Sequence, residues 1–293
     1  MAMIGTAARI QLKNILYLTD FSEVSEAALE FATTLARRYE ATVHALHVLT
    51  PVIPEGCQEA IEADAALALS EMSKLGENLA MKDVAIDAKV VRGIDLWPAI
   101  ELEIAKDKID LIVLGTHGRT HARKLLLGSF AEEIFRRSSV PVLTIGPGVR
   151  RNAADSGAFH SVLFATDFGK PSEAAAPYAV SLAEEHDARL VLLYVARKAG
   201  ATAQEESLIG DIVQRLKDIA PAEARMCCRP AAVVQYGEPA DRILEVAAER
   251  DTDLIVLGVR DASKHLGAAT HLERAVAHQV VAYARCPVLT VRG

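Results

Sequence analysis

The feature that most constrains this chain is an internal repeat of its own sequence. The segment KNILYLTDFSEVSEAALEFATTLARRYEATVHALHVL, which starts at Lys13, returns as HSVLFATDFGKPSEAAAPYAVSLAEEHDARLVLLYVA from His160. The hexapeptide DLIVLG from Asp110 recurs from Asp253, and PVLTI near the end of the first copy returns as PVLTV near the end of the second. Because the motifs return in the same order, the pattern indicates a tandem duplication.

The length of the chain suits two domains. Its 293 residues divide into copies of about 145 residues, each large enough to bury a core of its own. The stretch PGVRRNAADSGAFH, residues 147–160, is polar, rich in small residues and without periodicity, as a linker would be. We therefore expect one domain over residues 1–147 and a second over residues 160–293.

Apolar runs alternate with helical periods within each copy. In the first copy, helices are predicted around the apolar positions from Val24 to Leu35, over 59–80 and 96–105, and after Ser129. Strands are predicted where Val, Ile and Leu cluster, at Asn14–Thr19, Thr42–Val48, Ile86–Val91, Leu111–Gly115 and Val142–Ile145. This alternation predicts an α/β fold: two doubly wound, five-stranded parallel-sheet domains of the Rossmann-like three-layer type. Such sheets bind ligands beyond the carboxyl ends of their strands.

Composition and charge argue against several classes of partner. The net charge of −7, from 32 basic and 39 acidic residues, disfavours a general attraction to nucleic acid. No uncharged apolar run reaches the roughly 18 residues of a membrane span, and the start MAMIGTAARIQLKN lacks the apolar region of a secretory signal. We therefore expect a cytoplasmic protein.

The cysteines fit the same compartment. None of the four lies in a C-x-x-C pair, and the adjacent Cys227 and Cys228 are poorly placed to share an unstrained disulfide. Reduced thiols are therefore expected.

One motif is suited to binding phosphate. GTHGRTHARKLLLGSFAEE follows the fourth predicted strand with the spacing G-x-x-G-x9-G-S. Gly115 and Gly118 would let a loop bring backbone N–H groups against an anion, and Gly128 with Ser129 would open a helix whose first N–H groups point the same way. A structural alternative stays open at this point: Ser129 and Glu132 also form a capping box, and Gly115 could simply end a strand.

Taken together, the paired TDF segments, the run closing in LHV, the strand DLIVLGTHGR, the glycine loop and the final PVLTI resemble the universal stress protein family in a tandem form. The resemblance implies binding of ATP, with Mg²⁺ brought by the nucleotide. It implies ribose and adenine contacts after strands one and two, and phosphate contacts in the glycine loop. The implied nucleotide-binding residues are Asp20, Val48, Leu114, Gly115, Gly118, Gly128, Ser129 and Phe130. For Asp20 the alternative is a turn or N-cap residue, and for Val48 plain core packing.

The second copy departs from this pattern in its loop. After Gly258, Asp261 stands where the second glycine belongs, and Arg274 with Ala275 replaces the Gly-Ser pair. Asp167 and Val195, the counterparts of Asp20 and Val48, are retained. We therefore expect the second domain to bind ATP weakly or not at all.

No catalytic or metal-binding residue is predicted. His117 with His121, and His44 with His47, have no carboxylate or cysteine at ligand spacing, and hydrolase, metalloprotease and kinase motifs are missing from the sequence. The preferred hypothesis is a regulatory stress-response protein that binds ATP. A slow ATPase or phosphotransferase and a nucleotide-free interaction scaffold are the alternatives. The resemblance also implies that the two final strands pair within the chain as a pseudo-dimer, with homodimerisation left open.

Overall fold

The computed structural model describes residues 9–50, 58–116, 128–149, 158–196, 203–260 and 276–293. The chain forms two compact units: Gln11–Pro147, and Gly148–Gly293 together with the short segment that ends at Ile10. The Ile10 N–H donates to the Ser181 hydroxyl at 2.9 Å, which ties that segment to the second unit.

The first unit alternates strands with helices along the sequence. Its helices are α1 (Glu23–Tyr39), α2 (Gln58–Ala80), α3 (Leu96–Lys106) and α4 (Ser129–Arg137). Its strands are β1 (Asn14–Leu18), β2 (Thr42–Leu49), β3 (Ile86–Arg92), β4 (Leu111–Gly115) and β5 (Val142–Ile145). The bounds of the five strands and of α2 and α3 lie within one residue of the predicted ones, and α1 extends four residues beyond the last apolar position of its predicted face, Leu35.

The strands of the first unit are parallel and lie in the order β3-β2-β1-β4-β5. The chain moves from β1 outward to β3 and then returns to the other side of β1 to add β4. The winding direction therefore switches between β1 and β4, and a crevice at their carboxyl ends is where a doubly wound sheet binds ligands.

The second unit repeats this arrangement with the order β8-β7-β6-β9-β10. Its strands are β6 (Ser161–Ala165), β7 (Arg189–Ala196), β8 (Ala231–Tyr236), β9 (Leu254–Val259) and β10 (Val288–Arg292). Its described helices are α5 (Lys170–Glu185), α6 (Ala203–Ile219), α7 (Ala222–Cys227), α8 (Pro239–Glu249) and α9 (Val276–Tyr283). The α/β fold class predicted from sequence is thus confirmed.

An equivalent aspartate in each unit, Asp110 or Asp253, binds the backbone at the start of the first strand. The Asp110 carboxylate accepts from the Lys13 and Asn14 N–H groups at 2.7 and 2.9 Å. Asp253 accepts from His160 and Ser161 at 2.7 and 3.1 Å. This explains why an aspartate precedes LIVLG in each copy, since it joins the first strand to the fourth at their amino ends.

Aliphatic side chains build both cores, because parallel strands covered by helices are buried on both faces. Ile15, Leu16, Ile112 and Leu114 are at most 1% exposed in the first sheet. Among the described residues, no helix combines the length and apolar character that a membrane-spanning segment needs.

A glycine at the end of the fourth strand admits the first helix of each unit. A Cβ added at Gly115 would lie 3.0 Å from Val24 Cγ1 and 3.1 Å from the Ser25 nitrogen. At Gly258 an added Cβ would overlap the carbonyl group of Pro171 and the Ser172 nitrogen, which are backbone atoms and cannot rotate away. The helix therefore begins against the strand end, and more closely in the second unit.

We predict that Gly258→Ala lowers the free energy of unfolding by about 1–3 kcal/mol, because the methyl group must displace the backbone of α5. Urea unfolding followed by circular dichroism measures this loss. Gly210→Ala is the matched control, since nothing lies within 4 Å of a Cβ at this helical position. It should stabilise the same unit by up to about 1 kcal/mol. Equal effects from the two variants would contradict the steric explanation.

Candidate functional site

The carboxyl edge of the first sheet gathers the described members of the predicted site. Leu18, the last residue of β1, pairs with Leu46 of β2 on one side and Leu114 of β4 on the other. Asp20 lies two residues beyond Leu18, and Val48 lies two residues beyond Leu46. The topology therefore brings Asp20, Val48, Leu114 and Gly115 to one edge of three adjacent strands, at the switch in winding direction.

The TDFS segment makes a tight turn between β1 and α1. The Thr19 hydroxyl accepts from the Phe21 N–H at 3.0 Å, and Asp20 Oδ1 accepts from the Ser22 N–H at 3.1 Å. Phe21 has a φ of 60°, in the left-handed region, and Ser22 is the N-cap of α1. The turn alternative for Asp20 is thus realised. A carboxylate can accept several hydrogen bonds at once, so this role is compatible with binding a ligand.

A buried hydroxyl network lies beneath this turn. The Tyr17 hydroxyl donates to the Ser25 carbonyl at 2.9 Å and lies 3.1 Å from Ser25 Oγ. Ser25 Oγ in turn donates to Thr19 Oγ1 at 2.8 Å. Burial raises the pKa of Tyr17 to about 12, so its hydroxyl stays protonated at neutral pH. Sequence reasoning missed these residues because their importance depends on how the first turn of α1 packs over β1.

His47, which was rejected as a metal ligand on sequence grounds, also contacts this turn. Its Nδ1 lies 2.7 Å from the Thr19 carbonyl oxygen, which can only accept, so Nδ1 carries the proton. Its ring packs against Phe21 with centroids 4.7 Å apart. His47 therefore supports the turn that carries Asp20.

Val48 is half-buried at this edge. It pairs with Val91 of β3, and a Cβ placed on Gly93 would come within 3.7 Å of its Cγ1. Because Val48 is half-buried, core packing and a ligand contact both stay open as its role.

The start of α4 returns to the end of β4. The Gly128 N–H donates to the Thr116 carbonyl at 2.9 Å, and the Thr116 N–H donates to Ile145 at 2.8 Å. The residue with the N-cap conformation is Gly128, and Glu132 N–H bonds to its carbonyl oxygen at 3.0 Å. A capping box would need Ser129 at the N-cap, so that explanation for the Gly-Ser pair is wrong.

The first turn of α4 leaves its backbone N–H groups without a side-chain cap. Gly128 carries no side chain that could accept from the first-turn N–H groups of α4, which begins with Ser129 and Phe130. Such N–H groups and the helix dipole favour a negative charge in front of them. Gly118, the remaining predicted phosphate residue, lies outside the described residues.

The corresponding turn of the second unit uses its aspartate differently. Phe164 replaces Tyr17, so the hydroxyl that contacts Ser25 in the first unit is missing at this position. The Ser172 hydroxyl instead donates to Asp167 Oδ1 at 2.8 Å, and the Gly169 N–H donates to the same oxygen at 2.8 Å. Burial opposes the charge of Asp167, but these hydrogen bonds outweigh it and lower the pKa of the carboxyl below its ordinary value.

An arginine covers the aromatic residue of the second turn. Phe168 stacks on Tyr194 with centroids 5.4 Å apart, and the Arg215 guanidinium lies 3.8 Å from the centre of the Phe168 ring. In the first unit, Phe21 meets His47 at the position equivalent to Tyr194. Asp261, Arg274 and Ala275, the loop substitutions of the second copy, lie outside the described residues.

A separate cluster of charged groups joins β2, β3 and α3. Ligand atoms of His44, Asp87 and Asp107 lie within 4.8 Å of one another, a donor set of the kind that binds divalent metals. However, Lys89 Nζ lies 2.7 Å from Asp87 and 2.8 Å from Asp107, with Glu103 at 3.2 Å. The lysine ammonium therefore supplies the positive charge that a metal would bring, and we interpret the cluster as an ion-pair network.

This network shifts the protonation of its members. Burial disfavours the charged lysine, but hydrogen bonds to Asp107, Asp87 and Glu103 prevail and raise the pKa of Lys89. The hydrogen bond from Lys89 is the main reason that the pKa of Asp107 is lowered. The ion pairs therefore contribute stability that is present above the ordinary carboxyl pKa of about 4 and is lost as the pH falls through the lower folded value.

We predict that Lys89→Met lowers the free energy of unfolding at pH 7 by about 2 kcal/mol, because Glu103 and Asp107 lose the cation that they share. Their side chains are only 8% and 15% exposed. Lys74→Met, in an ion pair whose lysine is 63% exposed, should change stability by less than about 0.5 kcal/mol. Chemical denaturation measures both. The effect of Lys89→Met should shrink in acid, and an unchanged effect at pH 3 would refute the ion-pair explanation.

Comparison with known proteins gives consistent matches. The profile described as the Universal stress protein family matches residues 11–146 and again 158–292. A universal stress protein of Methanocaldococcus jannaschii is 35% identical over 142 residues, covering 45% of this chain and 81% of that protein. One from Mycolicibacterium smegmatis is 26% identical over 291 residues, covering 95% of this chain and 96% of the relative.

A solved structure resembles the fold over nearly the full length of this chain. The crystal structure of a universal stress protein from Archaeoglobus fulgidus aligns with a TM-score of 0.71 at 20% identity. The alignment covers 95% of this chain and 96% of that one. At this identity the match concerns the fold.

Proposed function

The chain belongs to the universal stress protein family, whose profile matches both of its halves, and we propose that it is a stress-response regulatory protein that binds ATP in its first unit. The observation that carries the proposal is the hydrogen bond from Gly128 N–H to the Thr116 carbonyl at 2.9 Å. It brings the N-terminus of α4 back to the strand end that lies beside the Asp20 turn.

The proposed contacts follow from the chemistry of each group. The Asp20 carboxylate suits the ribose hydroxyls, and the backbone of Val48 suits the edge of the adenine base. The phosphates would lie before α4, with Gly115, Gly118 and the Gly128–Ser129 opening supplying backbone N–H groups. Leu114 and Phe130 complete the proposed nucleotide-binding set.

Regulation requires only that ATP binds differently to two conformations of the protein. A ligand with such a preference shifts the population between them without being consumed. A pseudo-dimer formed by pairing of the final strands β5 and β10 stays a prediction, and so does a cytoplasmic location.

We predict that Asp20→Ala weakens ATP binding by about tenfold or more, because a charged acceptor for the ribose hydroxyls is lost. Isothermal titration calorimetry with Mg²⁺ present measures the dissociation constant. Asp167→Ala is the matched control, since Asp167 occupies the same turn of the second unit, and it should leave the affinity unchanged. Both variants remove a turn hydrogen bond, which should lower stability by about 1 kcal/mol, and Asp167→Ala should lower it at least as much because it also removes the bond from the Ser172 hydroxyl.

Binding and phosphate-release measurements distinguish the two alternative functions from the proposal. No detectable binding by the wild type at millimolar ATP would sink the proposal in favour of a nucleotide-free scaffold. Release of phosphate by the wild type, reduced in Gly118→Asp, would favour a slow ATPase that uses the same loop. If Asp167→Ala rather than Asp20→Ala abolished binding, the assignment to the first unit would be wrong.

We predict further that Tyr17→Phe weakens ATP binding by about three- to tenfold. Without the Tyr17 hydroxyl, Ser25 should turn to the aspartate of its own turn, as Ser172 does beside Phe164, and Asp20 would then be less available to the nucleotide. Phe164→Tyr is the control because it adds the hydroxyl to the second unit alone. Titration calorimetry should show no effect of that variant on the first site, and equal affinities for Tyr17→Phe and wild type would contradict the role of the network.

A further inference from the structure

We propose that Cys227 and Cys228 form a redox modification site that closes to a disulfide on reaction with a hydroperoxide. Their Sγ atoms lie only 3.3 Å apart, and both cysteines are free thiols in the structure. The proposal concerns the second unit and is independent of nucleotide binding.

The end of α7 brings the two sulfurs together. Adjacent residues inside a helix do not face one another, because successive side chains are rotated by about 100°. Cys227 is the last residue of α7 and Cys228 is its C-cap, followed by Arg229 with a φ of 45°. The helix therefore ends at the pair, where the chain turns towards β8.

The two thiols differ in accessibility, and this difference assigns their roles. Cys227 is exposed, whereas Cys228 is 1% exposed. Burial, with the hydrogen bond to Cys227, raises the pKa of the Cys228 thiol and keeps it protonated. A dissolved oxidant therefore reaches Cys227 first, and Cys228 is positioned to resolve the product.

The reaction balances in two steps. The Cys227 thiolate attacks the peroxide O–O bond, forming an S–O bond and releasing hydroxide from hydrogen peroxide or alkoxide from an organic hydroperoxide. The hydroxide or alkoxide just released takes the Cys228 proton, the Cys228 thiolate attacks the Cys227 sulfenic acid, an S–S bond forms, and the sulfenic oxygen leaves as hydroxide. The two thiols are oxidised by two electrons in total, and one peroxide is reduced.

The resulting disulfide is expected to be easily reduced. Adjacent Cα atoms across a trans peptide are about 3.8 Å apart, which is shorter than the roughly 4.4–6.8 Å usual for disulfides. The bond is therefore strained, which is why neighbouring cysteines are poorly placed for a structural crosslink. Strained and exposed disulfides are the labile ones, so the site suits reversible modification.

Closure of the ring would affect the start of β7. The Cys228 N–H donates to the Ala224 carbonyl at 2.9 Å, and its own carbonyl accepts from the Leu190 N–H at 3.0 Å. Twisting the peptide between the two cysteines reorients the Cys228 N–H and strains its bond to Ala224. The accompanying movement of Cys228 also strains the bond from Leu190 to its carbonyl oxygen. Oxidation should therefore loosen the end of α7 and its link to β7.

The test uses the full chain treated with hydrogen peroxide and analysed by peptide mass spectrometry. Exposed Met226 would itself gain oxygen, so the experiment uses a Met226→Leu background. The tryptic peptide beginning at residue 226 should lose about 2 Da, the mass of two hydrogens, and regain it with a dithiol reductant. Amide hydrogen exchange at Leu190 and Cys228 should speed up on oxidation and return to its original rate on reduction.

Two sets of variants control the assignment. Cys57→Ser with Cys286→Ser leaves only the adjacent pair and should retain the mass loss, whereas Cys227→Ser should abolish it while keeping the circular dichroism spectrum of the wild type. Gains of about 16 or 32 Da on Cys227 without the loss of about 2 Da would overturn the proposal. Disulfide-linked dimers formed instead of the disulfide within one chain would also overturn it. So would a mass loss that persists in Cys227→Ser.

Discussion

The close packing of the first helix against the end of the fourth strand determines where each candidate ligand group lies. At Gly115 and Gly258 the strand has no side chain, and the first turn of α1 or α5 occupies the space. Because each helix follows directly from a TDF turn, this contact also fixes the position of Asp20 or Asp167 relative to the strand end. The glycine that was expected to approach a phosphate is therefore also a packing residue. A single position serves both the core and the loop that leaves it, and substitutions there would change stability and binding together.

Within this shared backbone, the two turns differ in the hydroxyl group that Tyr17 supplies to the first and that Phe164 lacks in the second. In the first unit the Tyr17 hydroxyl donates to the Ser25 carbonyl, Ser25 Oγ donates to Thr19 Oγ1, and the Ser22 N–H donates to Asp20. Phe164 leaves Ser172 to donate to Asp167, which also binds Gly169. The Arg215 guanidinium lies over the Phe168 ring of the second turn. The second turn thus holds its aspartate with a serine hydroxyl, while its backbone keeps a left-handed phenylalanine at the same place as the first turn.

The sequence predicts the sheet well because its signals are local. Runs such as LIVLG, bounded by Asp110 and Gly115, specify a buried parallel strand, and the repeat supplies each observation twice. Asp20 and Gly115 could be placed at one edge because they lie at or just beyond the carboxyl ends of two adjacent strands, β1 and β4. The Lys89 cluster could not be found in this way, since His44, Lys89 and Asp107 come from three elements whose approach depends on the register of β2 with β3. The capping-box alternative failed for a similar reason: the N-cap conformation falls on Gly128, and sequence spacing cannot distinguish it from the next residue.

The proposed redox site and the turn that carries Asp167 lie at opposite ends of one strand, β7. Leu190, near the start of β7, donates its N–H to the Cys228 carbonyl, and Tyr194, near the end of β7, stacks on Phe168. Between them β7 is hydrogen-bonded to β6 on one side and β8 on the other. A strand held on both sides resists sliding, because any shift would break several ladder hydrogen bonds at once. Oxidation of the cysteines should consequently loosen the amino end of β7 locally, and the turn that carries Asp167 should keep its geometry.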